Sequence, residues 1–139
     1  MWKQAALLIL VMGFVACQAS SSQPAEIFPE DTCTYCRMGI SEKRFAAQFL
    51  DEDGQVFKFD DMACMVNDLK ARKDQLRVAR YYAVDFDTGR WIGTPDAHFV
   101  RSPRFKTPMG GTTVAFESQA KAEQAAVRFE GRLMSFAEI

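Results

Sequence analysis

Histidine is nearly missing from this chain: His98 is the single one in 139 residues, and no identifiable partner stands near it in the pattern. A hydrolase or transferase working through a nucleophile and a general base therefore finds no support. Also missing is a glycine-rich turn of the kind that cradles phosphates between a strand and a helix, which argues against nucleotide chemistry. Basic residues do not cluster. Without its first 16 residues the chain carries 16 basic against 18 acidic residues, a net charge near −2, so nucleic acid is not an expected partner. No apolar run reaches the roughly 20 residues that a bilayer-crossing helix needs, and the length excludes a large multidomain enzyme.

What is present is the composition of an ordinary globular domain, with 48% hydrophobic, 12% aromatic and 25% charged residues, enough to bury a normal core. The amino terminus departs from it. Lys3 supplies a positive charge, Ala5 to Val15 form a short apolar run, and Ala16-Cys17 follows, the pattern of a secretory signal peptide. A small residue before a cysteine is what lipoprotein processing requires: the thiol is alkylated by diacylglycerol, the peptide is cut before Cys17, and the new amino terminus is acylated. Phe14 stands where bacterial lipoproteins more usually have Leu. Residues 1–16 are thus expected to be a signal peptide and Cys17 a lipid anchor, whose chains exceed the roughly one chain that gives only marginal attachment. Ser20-Ser21-Ser22, Pro24 and Pro29 give residues 17–30 the composition of a flexible tether. The folded domain is expected over 31–139.

Within that domain Phe45, Ala47 and Phe49 alternate with polar or small residues, Asp51-Glu52-Asp53-Gly54 reads as a turn, and alternation resumes from Val56 to Phe59, which predicts a hairpin. Asp60-Asp61 offers a cap, and Met62, Met65, Val66 and Leu69 recur at helical spacing toward Lys73. A strand from Tyr81 to Phe86 follows. Trp91-Ile92 and Phe99-Val100 then open a second half, in which Thr112 to Phe116 is a β run and Ser118 caps a helix carrying Ala122, Ala125, Ala126 and Phe129. Gly131 ends that helix and Leu133 to Phe136 makes a last strand. Phe59-Asp60-Asp61 and Phe116-Glu117-Ser118 precede the two helices in equivalent places. The expected fold class is α+β, a pseudo-duplicated pair of ββαβ units.

Chemistry concentrates in Cys33-Thr34-Tyr35-Cys36-Arg37-Met38, two thiols and a thioether within six residues. Soft sulfur donors select Cu(I), and a thioether cannot be lost to a disulfide in an exported protein. A short-loop disulfide or a thioredoxin-like redox pair at Cys33 and Cys36 is the competing reading, but such pairs sit between a strand and a helix rather than after a tether. Cys64, in the first turn of the first helix, points away from the apolar stripe; a helix N-terminus favours thiolate there, and the residue either joins the metal site or is a small buried thiol. Met62 and Met65 belong to the stripe and are expected in the core. Met109, in Thr107-Pro108-Met109-Gly110-Gly111, is a candidate second-site or closing ligand, or a plug at the end of the sheet. His98 is a weaker candidate; with Cys33, Cys36 and Cys64 it would complete a tetrahedral zinc set. Asp85 and Asp87 beside Thr88-Gly89 look like turn chemistry.

Taken together, Phe14-Val15-Ala16-Cys17, Cys33-x-x-Cys36-x-Met38, Phe59-Asp60-Asp61-Met62-Ala63-Cys64, Tyr82-Ala83-Val84-Asp85, Pro108-Met109-Gly110 and Ala115-Phe116 resemble the NosL family over nearly the whole mature chain. The resemblance implies two ββαβ units and an accessory lipoprotein, not an enzyme, that delivers Cu(I) outside the cytoplasm to nitrous oxide reductase or its membrane maturation complex. It implies Cys33, Cys36 and Met38 as the first copper ligands, with Cys64 and Met109 behind them. The other partner implied is the lipid bilayer, through acylated Cys17, with a homodimer left open. The place expected is a periplasm-facing membrane surface, and Gln18, where an inner-membrane-retaining Asp would stand, points to the outer membrane by analogy with bacterial lipoproteins. The family motif usually has Gly before its Met. Arg37 takes that place here, which bears on local backbone shape rather than on ligand identity.

Overall fold

The computed structural model describes residues 22–139; the expected signal peptide and the anchor at Cys17 lie outside the described residues. Strand β1, Ala47–Asp51, and strand β2, Val56–Phe59, form an antiparallel hairpin in which Ala47 faces Phe59 and Leu50 faces Val56. The turn between them is held by Asp51, whose carboxylate accepts the Asp53 and Gln55 N–H groups at 3.0 and 2.8 Å, and by Gly54 at φ +81°, a conformation glycine adopts without strain. Phe45, expected at the start of this hairpin, instead closes a 3-10 turn, Lys43–Phe45, and packs its ring on Phe86 at 5.8 Å.

Helix α1, Met62–Ala71, starts where Asp61 caps it, and it buries Met62 and Met65 as the apolar stripe requires. Strand β3, Val78–Val84, returns antiparallel to β1 and begins earlier than its aromatic residues suggest, because Val78 pairs with Asp51 across a bulge. Strand β4, Trp91–Gly93, pairs with β3, so Trp91 and Ile92 complete the first sheet rather than open the second half. The first sheet runs β2-β1-β3-β4.

The second unit contains β5, His98–Arg101, β6, Thr113–Phe116, helix α2, Gln119–Arg128, and β7, Arg132–Met134, with sheet order β6-β5-β7. Ser118 caps α2 by accepting the Lys121 N–H at 3.4 Å, the place Asp61 holds in the first unit. Glu130, at φ +51°, turns the chain out of α2. Gly131 is needed for room: a Cβ there would lie 2.7 Å from Arg101 O, where β7 begins to pair with β5. In each unit the first strand is central, and the expected α+β pair of ββαβ units is the observed architecture.

The two units share their cores. Phe99, Ala115 and Met134 from the second unit join Phe49, Phe59, Met65 and Val84 in one cluster, while Phe45 and Phe86 from the first pack on Val100, Phe105 and Phe116 in the other. Because burial of each aromatic side chain contributes about 1.5–3 kcal/mol, this reciprocal exchange ties the units into one body. The sheets also touch through a parallel bridge of Asp85 with Ala115.

Residues 22–30, expected within a flexible tether, lie across the face of the first sheet opposite α1. Ala25 exchanges two hydrogen bonds of 3.0 Å with the Gln48 amide, Lys58 donates to Glu26 O at 2.7 Å, and the Tyr82 hydroxyl donates to Ser22 O. This strap covers Gln48, which is fully buried in the middle of β1. It leads directly into the cysteine-bearing loop.

Candidate metal centre

Residues 31–40 fold as a small hairpin beside β2. Thr32 bridges Gly39, Ile40 N–H donates to Asp31 O at 3.0 Å, Cys33 N–H donates to Met38 O at 2.8 Å, and Arg37 N–H donates to Cys33 O at 3.0 Å. Thr34 N–H donates to Lys58 O at 2.8 Å, which fixes the hairpin to the sheet edge. Arg37 sits at φ +65°, the left-handed region in which glycine is unstrained. Arg37 itself therefore holds a backbone conformation that glycine would adopt at less cost.

This hairpin and the first turn of α1 bring three thiols together. The Sγ atoms of Cys33, Cys36 and Cys64 all lie within 4.8 Å of one another. Cys33 and Cys64 are 0% and 1% exposed, and Cys36 is half-buried, so the cluster is closed on one side and approachable past Cys36. All three are free thiols. Met38, the next sulfur in the loop, is 51% exposed, and Met109 is 37% exposed. His98 lies on β5 opposite Phe116 and is not a member of the cluster. A Cys₃His set is thus not assembled.

Burial pushes the Cys36 thiol up; the Met38 N–H opposes this, and neighbouring Cys33 adds to the rise. Burial pushes Cys64 up much further, reinforced by its hydrogen bond and charge interaction with Cys33 and by charge interaction with Asp61 and Cys36. The helix N-terminus was expected to favour a Cys64 thiolate, but desolvation and a neighbouring carboxylate outweigh it. A soft cation entering the cluster displaces protons from these sulfurs and supplies the positive charge that the site otherwise lacks.

Two buried aspartates precede the helix turn that bears Cys64. Asp61 accepts the Cys64 N–H at 2.9 Å with one oxygen, and with the other the Thr107 hydroxyl and the Met109 N–H, the latter at 3.2 Å. Asp60 accepts the Ser41 N–H at 3.1 Å, and burial holds its carboxyl above the usual range despite that hydrogen bond. The sequence pattern marked Asp60-Asp61 only as a helix cap. Their links to Ser41 and Thr107 are long-range, and no local spacing announces them.

The family model of NosL matches residues 24–139. Among solved structures, the crystal structure of the copper chaperone NosL from Shewanella denitrificans is similar with a TM-score of 0.72 and 22% sequence identity, covering 84% of this chain and 95% of that one, a likeness of fold. No curated protein matches.

Proposed function

With membership of the NosL family as the premise, since this chain belongs to it, we propose that the protein is a copper chaperone that carries Cu(I) and hands it to nitrous oxide reductase or the membrane complex that matures it. The observation that carries this reading is the convergence of three thiols within 4.8 Å, two of them fully buried. Cu(I) is a soft ion satisfied by a few sulfur donors, and three thiols in a shielded corner suit it. Tetrahedral zinc takes four donors in a structural site, and the single histidine stands outside the cluster. The similar solved protein is a copper chaperone, which supports the same cargo.

Cys33, Cys36 and Cys64 hold the ion, and Met38 and Met109 are the thioethers that complete or relay it. Exchange proceeds on the side of half-buried Cys36: an acceptor sulfur or imidazole binds before a donor thiolate leaves, so copper is never free. The protein's work is delivery, not turnover. Acylation at Cys17 keeps it on a periplasm-facing membrane surface, the outer membrane by the residue that follows the anchor.

The test is transfer. Chain loaded with Cu(I) is mixed with copper-free nitrous oxide reductase, together with a chelator strong enough to withhold free Cu(I). Appearance of the reductase's copper absorption bands with the loaded chain, and not with the chelator–copper complex alone, is the expected result. Equal or absent reconstitution in both contradicts delivery.

A further inference from the structure

Asp61 is fully buried, and its two oxygens serve different units of the fold. One caps α1 through the Cys64 N–H at 2.9 Å. The other takes the Thr107 hydroxyl and the Met109 N–H, partners 46 and 48 residues away in the second unit. Thr107 to Gly110 is a tight turn closed by the Gly110 N–H on Thr107 O at 3.0 Å, with Gly110 at φ +74°. The turn is pressed onto the helix start: a Cβ at Gly111 would lie 2.7 Å from Thr107 Oγ1, 3.1 Å from Asp61 Oδ2 and 3.2 Å from Ala63 Cβ.

A helix cap needs a single acceptor. The second oxygen is therefore surplus to the helix, and its partners belong to the turn whose exposed side chain is Met109. We propose that Asp61 is a positioning residue that holds the Met109 thioether beside the turn of α1 bearing Cys64, so that the copper site is assembled from both ββαβ units. This rests on the copper reading above and specifies how its second-unit donor is placed. A carboxylate is required because all three groups facing Asp61 are donors. Asparagine offers one oxygen and an NH₂ that would confront at least one of them.

The test is Cu(I) affinity, measured by chelator competition under anaerobic conditions, for the wild-type chain, Asp61→Asn, Thr107→Val, Met109→Ile and the Thr107→Val/Met109→Ile double variant. Each single change is expected to weaken binding at least about tenfold, the scale on which groups that orient metal ligands act. The double variant is expected to bind no more weakly than Met109→Ile alone, because both changes remove the same donor. Thr107→Val leaves the helix cap in place and separates positioning from folding. Wild-type affinity in Thr107→Val, or independent multiplying losses in the double variant, overturns the proposal. A wild-type chain that takes up no Cu(I) overturns the copper reading itself, a separate result.

Discussion

Gln48 and Ala25 close a ring of two hydrogen bonds, each 3.0 Å, between a fully buried side-chain amide in the middle of β1 and the backbone of the segment that precedes the domain. A glutamine in that position would be costly to bury alone; the backbone of residue 25 satisfies it. The segment thus belongs to the fold.

Replacing Gln48 by alanine is expected to release the strap, lowering the unfolding free energy by about 1–3 kcal/mol and opening residues 22–30 to limited proteolysis while β1 and β3 stay protected. Unchanged cleavage would show that Lys58 and Tyr82 hold the strap without it. Under the proposed anchoring at Cys17, five chain steps of at most about 3.6 Å would keep Ser22 within about 18 Å of the lipid attachment, and the strap would then limit how far the thiol cluster can travel from the membrane.

Arg37→Gly is expected to stabilise the protein by up to about 1 kcal/mol. It relieves a left-handed residue at φ +65°, worth roughly 1–2 kcal/mol, against a partial loss to unfolded-chain entropy. Urea midpoints of the two forms decide it, and a lower midpoint for the glycine variant would contradict the account of the cysteine hairpin.

Two buried aspartates are expected to respond oppositely to pH. Burial alone would raise Asp85, but the N–H groups of Glu117, Thr88 and Asp87 hold its carboxyl below the usual range. Its contribution is present above the ordinary carboxylate pKa of about 3.9 and lost as pH falls below it. Asp60 is raised by burial, so its contribution is present at acid pH and lost as pH rises through its folded-state value. Asp85→Asn should cost about 1.5–3 kcal/mol at pH 7 and flatten the acid limb of a stability profile. Asp60→Asn should cost little at pH 7, and a large loss there would contradict this assignment.

The thiol cluster carries its own pH signature. Cys64 and Cys36 are both raised, so the native thiols keep protons that an unfolded chain gives up near pH 8.5. Metal-free protein should lose stability above that pH. Copper affinity should rise with pH through the neutral range, because binding releases thiol protons. Chelator competition at stepped pH measures this, and a pH-independent affinity would place the ion elsewhere, on thioethers alone.

The sequence made the cysteine loop, both helix caps and the duplicated order of elements readable, because each is a local pattern: Cys33-x-x-Cys36, Asp61 and Ser118 before their helices, Met62 and Met65 at helical spacing. What escaped it depends on backbone or distance. The strap looked like a linker because Ala25 and Glu26 bind the sheet with main-chain atoms, which leave no side-chain signature. Trp91-Ile92 belongs to the first sheet and not to the second half, and a three-residue strand shows too little alternation to reveal its partner, β3. The role of Thr107 was invisible because its acceptor, Asp61, lies 46 residues away. Cys64 was placed off the apolar stripe, but only the folded hairpin shows that it meets Cys33.

The most direct test of the central claim is an anaerobic Cu(I) titration of the chain from residue 18, which retains the whole strap, against a competing chelator. Cys33→Ser, Cys36→Ser and Cys64→Ser are measured beside it, with zinc in parallel. The account predicts tight one-to-one Cu(I) binding that each serine replacement severely weakens, with zinc held more loosely. Tight zinc binding that stabilises the fold, with Cu(I) failing to compete, would contradict it.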